Sequence, residues 1–204
     1  MHIFALAMME EATIQFRQHL AEVAGIQEAT WKALLPVLKV EEIAKGGLVL
    51  QEGKVCQHIY FLASGSFRAF YSKEDGDETT TGLYVPGHCF TNMKSISAAL
   101  PSTVNIQALE NSIVVKLHKS DMVSLYTTTP DLESVGRMML ERMVVEEHEW
   151  KEMYTMFTPE ERYHFLLKHA PVIVQKVPLQ FIASFLGIRR ETLSRIRSKA
   201  TRKM

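Results

Sequence analysis

Arg190, Glu191 and Arg195 fall within six consecutive residues near the C-terminus, beside Leu193 and Ile196, which mark the opposite side of a helix. A guanidinium grips guanine bidentately and a glutamate accepts from the cytosine amino group, so these three side chains have the chemistry to read base edges. Arg189, Thr192, Ser194, Arg197 and Lys199 surround them, and such residues hold phosphate oxygens, which fix position rather than sequence. The competing reading is a helical hairpin with a solvated polar face.

The residues just upstream bear on that choice. Ile182, Ala183, Phe185 and Leu186 give a short helix one apolar side, and Ala183 is small enough to let a second helix approach. Gly187 supplies a turn, Ile188 plugs the gap beneath it, and Leu193 and Ile196 tie the second helix to the same core. This is the pattern of a helix-turn-helix. From Leu186 onward seven basic residues oppose the single Glu191, which leaves this stretch at +6 and the remaining chain at −6. A positive field at one end suits phosphate attraction, although a solvated basic tail has the same composition.

Three textures lie upstream. Residues 13–40 read as helices, from Ile14, Phe16, Leu20, Val23, Trp31, Leu34, Leu35 and Leu38, with Pro36 at a bend or helix start. From Ile43 to Leu117 short β-rich runs alternate with glycine and polar turns, which predicts a sandwich or barrel. Residues 131–156 hold no proline and one glycine, so they read as a single long helix. Such a helix overruns one small β domain, and Leu132, Val135, Met139 and Met143 are its candidate seam with a second copy, ordinary core packing being the alternative. Thr158-Pro159-Glu160-Glu161 then opens a new helix: a capping threonine, proline in the first turn, and acids at the positive end of the dipole. The expected architecture is α+β, with a jelly-roll sensor domain over residues 1–130, a dimerisation helix over 131–157 and a helix-turn-helix domain over 158–204.

The run Ile59-Tyr60-Phe61-Leu62-Ala63-Ser64-Gly65-Ser66-Phe67-Arg68, together with Gly47, Gly53 and Gly187–Arg197, resembles the Crp/Fnr-type regulators, relatives of the cyclic-AMP receptor protein. The resemblance runs from about Lys45 to Arg197. It implies a homodimer on double-stranded DNA with a two-fold operator, its half-sites about one helical turn apart. It also implies base reading by Arg190, Glu191 and Arg195, and RNA polymerase as a further partner. Two departures stand out. The sequence stops soon after the recognition helix, so either the β wing usual in that family is expected to be reduced or absent or the chain is truncated, and Arg189 replaces a common capping serine.

The effector pocket departs further. The family's cyclic-nucleotide binders use a Gly-Glu pair for the ribose and an Arg-Ser pair for the phosphate. Thr91-Asn92 and Pro101-Ser102 stand there instead, with Thr103 following and Glu147-His148 at the positions that face the adenine. A buried phosphate without its cation is poorly compensated, so cyclic AMP is not the expected effector. No cofactor or metal is expected: Cys56 and Cys89 are too few and too far apart for a zinc site or a cysteine-ligated cluster. No nucleophile–base pair or phosphate loop marks an enzyme. No apolar run reaches membrane-spanning length and no convincing secretory signal is present, so the cytoplasm is the expected location. The rival function is a ligand-binding or protein-interaction jelly-roll that has lost specific DNA binding.

Overall fold

The computed structural model describes the backbone of residues 2–202 and the side chains of residues 7–199. Two helices, α1 (His2–Ala24) and α2 (Glu28–Leu34), lead through a 3₁₀ turn at Leu35–Val37 into eight strands. These are β1 (Lys39–Ile43), β2 (Leu48–Leu50), β3 (His58–Ser64), β4 (Phe67–Ser72), β5 (Glu78–Tyr84), β6 (Cys89–Phe90), β7 (Asn105–Ala108) and β8 (Ser112–His118), with α3 (Met93–Ala98) after β6. They form two four-stranded antiparallel sheets in the orders β1-β8-β3-β6 and β2-β7-β4-β5. The β-rich zone expected from Ile43 to Leu117 holds β2 to β8, while β1 precedes it. The predicted helical zone ends earlier than residue 40, because Pro36 closes it in the 3₁₀ turn and Val40 pairs with Val115 in β1.

β3 reads as an unbroken apolar run because both its faces are covered. Tyr60 and Leu62 point between the sheets, where they meet Leu50, Phe67, Phe90, Ile106 and Val114. Phe61 and Ala63 alternate to the other side, beneath Phe16 and Leu20 of α1 and Trp31 and Leu34 of α2. The β4–β5 hairpin turns at Gly76, whose φ of +87° only glycine takes without strain.

After α4 (Lys119–Tyr126) comes α5 (Pro130–Met156), whose 27 residues span about 40 Å. Its first turns stay with their own chain: Leu132 and Val135 are buried in the cluster formed with α1 and β3, and Met139 packs against it. Leu132 and Val135 are thus already covered by their own chain, whereas Met139 and Met143 are half-buried. Apolar periodicity says that a helix face is buried, not against which chain. The exposed apolar residues of α5 are Leu140, Val144 and Val145 in its middle and Met156 at its end. The chain closes with α6 (Pro159–His169), α7 (Pro171–Lys176), α8 (Leu179–Phe185) and α9 (Arg190–Arg202). Thr158 and Glu161 cap α6 reciprocally in a capping box. Among the described residues no strand follows α9, and no helix is long and apolar enough to cross a membrane.

Candidate nucleic-acid interface and effector cavity

α8 and α9 form the hairpin expected from the apolar spacing. Gly187 takes φ +69° between them, and the Ile188 amide donates to the Ala183 carbonyl across the turn at 3.0 Å. Ile182, Ala183, Phe185, Leu186, Leu193 and Ile196 are all buried in one cluster with Met153, Tyr163 and Leu166. With Leu193 and Ile196 inward, 3.6 residues per turn places Glu191, Ser194, Arg195 and Ser198 at the centre of the outward face. Arg190 and Lys199 flank it. Arg189, Arg190, Glu191, Ser194, Arg195, Arg197 and Lys199 are exposed, while Thr192 is half-buried and accepts from Arg195 at 3.4 Å. Ser198 was not singled out by the sequence; only the direction of the buried face brings it forward. The side chain of Arg202, and all of Lys203, lie outside the described residues.

Arg162 fixes this hairpin to the long helix. Its Nη2 donates to the Tyr154 carbonyl at 2.9 Å and its Nε to the Phe157 carbonyl at 3.0 Å, both at the end of α5. Its Nη1 donates to the Leu186 carbonyl at 3.0 Å, at the end of α8. One planar fork thus satisfies carbonyls left open at two helix C-termini. The Tyr154 hydroxyl adds a bond to the Phe185 carbonyl.

A second joint ties α8 to the sensor. The buried guanidinium of Arg68 lies 3.9 Å from the Phe70 ring and 4.2 Å from that of Phe181, a cation–π sandwich across the two parts. Glu78 and Gln107 take its hydrogen bonds. The Thr80 amide donates to Ser184 Oγ at 2.9 Å. The sequence does not reveal that Arg68 and Arg162 are joints, since Phe181 and Leu186, their partners in α8 and at its end, are distant in sequence.

Between the second sheet, α5 and α8 lies a cavity of about 360 Å³. Of the predicted effector residues, Thr91, Asn92 and Glu147 line it; Pro101, Ser102, Thr103 and His148 do not. Ser102 is buried with its hydroxyl committed to the Val104 carbonyl and the Asn92 amide, and Pro101 pairs with Val55. His148 is exposed beside Glu152. Thr91 donates to the His58 carbonyl, and Asn92 caps α3. The cassette positions are therefore spent on the fold. The sequence also missed Lys94, Trp150 and Phe185, all of which line the cavity.

Among the described residues, Lys94 is the one lysine or arginine that lines this cavity, alongside the carboxylates of Glu146 and Glu147. Burial, then Glu147, pushes the Tyr84 hydroxyl up to about 12. Burial likewise lifts the Cys89 thiol to about 12, so it stays protonated and unreactive.

Residues 40–129 match the cyclic nucleotide-binding domain family. The fold is that of the Crp/Fnr regulators. FixK2 from Bradyrhizobium japonicum superposes with a TM-score of 0.70 at 17% identity, over 82% of this chain and 86% of that one. The c-di-GMP-responsive global regulator CLP of Xanthomonas campestris gives 0.64 at 17%, over 87% and 93%. The catabolite activator protein of Thermus thermophilus gives 0.52 at 20%, over 91% and 87%. None of the curated proteins compared matches the chain. Within the Crp/Fnr fold the long helix and the terminal helices occur in the same order as here, after the double sheet.

Proposed function

We propose that this chain is a sequence-selective DNA-binding transcription regulator acting as a homodimer, with an effector cavity unsuited to a cyclic nucleotide. The observation that carries the proposal is α9: Arg190, Glu191 and Arg195 stand exposed on a helix whose opposite face is locked into a helix-turn-helix core. The likeness to FixK2 and to a catabolite activator protein supports the regulator class. Fluorescence anisotropy tests the proposal: affinity for a palindromic duplex should exceed that for a scrambled one and fall steeply with salt. Equal, salt-insensitive binding would count against it.

In this proposal residues 1–130 sense, 131–157 pair two copies and 158–204 hold DNA. The seam runs along Leu140 and Val144, four residues apart and exposed, with Val145 alongside. In a parallel pair each Val144 faces its own mate. Val144→Glu then sets two carboxylates side by side in a desolvated seam, and sedimentation should find a monomer. A persistent dimer would place the seam elsewhere.

The cavity is the proposed coupling element, since Phe185 of α8 lines it together with Leu83 of β5 and Trp150 of α5. A ligand that fits better with α8 in one position shifts the two reading helices by that difference in affinity. For a cyclic phosphate the charges are wrong: exposed Lys94 meets two carboxylates. Calorimetry with cyclic AMP and cyclic GMP should therefore show no micromolar binding. Micromolar affinity would mean that Lys94 suffices as the phosphate's cation.

A further inference from the structure

A second chamber of about 400 Å³ lies on the other side of the wall formed by Cys89, Thr91, Met93, Leu140 and Met143. It is closed by α1, α4, α5 and the outer face of the first sheet. Phe16, Leu20, Ile59, Leu117, Met122 and Val135 make it overwhelmingly apolar. The exposed lining residues Glu133, Arg137 and Leu140 mark its mouth. An apolar cavity of about 150 Å³ stays dry and takes up benzene, so this one accommodates two to three rings or a medium-length alkyl chain.

Thr91 and Tyr126 bring hydroxyls to the wall, and that of Thr91 is spent on the His58 carbonyl. The Tyr126 hydroxyl lies against Gly136, which also lines the chamber, and among the described residues no protein group pairs with it. Gly136 opposes it so closely that a Cβ there would come within 2.6 Å of that oxygen. Burial and then the nearby Glu133 carboxylate hold the hydroxyl protonated, as a donor. The mouth does not favour an anion, because Arg137 is paired with Glu141 at 2.6 Å while Glu133 faces Tyr126 with its negative charge.

We propose that this chamber binds an uncharged apolar small molecule with a single hydrogen-bond acceptor, such as a ketone or ester on an alkyl or aryl body, its acceptor on the Tyr126 hydroxyl. The proposal concerns a different cavity from the one coupled to α8 and does not depend on DNA binding. Shared walls at Leu140 and Met143 give such a ligand direct contact with α5.

The test titrates the full chain with the neutral fluorophore N-phenyl-1-naphthylamine and displaces it with 2-nonanone, nonane or decanoate. Saturable uptake is expected, with 2-nonanone the best competitor. Met122→Trp, which fills the chamber, should lose uptake while keeping its circular dichroism. Tyr126→Phe should keep uptake of the fluorophore but weaken 2-nonanone about 2- to 10-fold, the worth of one hydrogen bond. No saturable uptake by the wild-type chain overturns the proposal, as does a preference for decanoate or an unchanged response of 2-nonanone in Tyr126→Phe. Uptake by the Val144→Glu variant alone would mean that a second copy covers the mouth, and overturns it equally.

Discussion

Replacing Arg190 and Arg195 together by alanine is expected to erase the preference for an operator over an unrelated duplex while leaving a folded chain that still holds DNA weakly. Both side chains are exposed on α9 and support no part of the core, so thermal stability should be unchanged. Each bidentate arginine–guanine pair contributes about 1–3 kcal/mol of discrimination, so removing one reduces selectivity roughly 5- to 150-fold. Lys199→Ala is the contrasting case. Taking away a phosphate-binding cation there weakens all duplexes alike and lowers the salt slope by about 0.9. Competition anisotropy with matched and mismatched duplexes separates the two. Selectivity that survives the double substitution would remove base reading from these arginines.

Arg162→Ala is expected to be the most damaging substitution in the C-terminal part. It leaves the carbonyls of Tyr154, Phe157 and Leu186 without their donor and unties α8 from α5. Hydrogen bonds from a charged donor contribute about 1.5–3 kcal/mol each, but the three share one group and do not add; a loss of about 3 kcal/mol is expected. Arg162→Lys should recover little, because one ammonium cannot span three carbonyls that a planar fork reaches. Urea unfolding followed by tryptophan fluorescence reads this directly, since Trp150 lies edge-on to Phe165 and Phe185 in the same core. DNA affinity should fall as well, although Arg162 is remote from the exposed face of α9. A change below about 0.5 kcal/mol, the range of ordinary surface substitutions, would mean that packing alone holds the joint.

The α8–α9 hairpin was legible because its signals are local: Gly187 between two short apolar sets, and Leu193 and Ile196 three residues apart. The β-rich runs were legible for the same reason, whereas the burial of β3 on both faces emerged only with the helices that cover it. The proposed seam was harder to read. Leu132 and Val135 have the periodicity of an interface, yet α1 and β3 already cover them, while Val144 and Val145 look in sequence like ordinary helix surface. The cavity was legible in part. Thr91, Asn92 and Glu147 line it, but the Ser102 hydroxyl is consumed by Val104 and Asn92. Arg68, Arg162 and Lys94 could not be read in advance, because their roles come from groups that only folding brings near.

Selecting genomic fragments bound by the full-length chain tests the central claim most directly. The account predicts enrichment of a two-fold symmetric motif, its half-sites about one helical turn apart, and loss of that motif in the Arg190→Ala, Arg195→Ala variant. Recovered fragments with no shared motif, or the same motif from the variant, would contradict it.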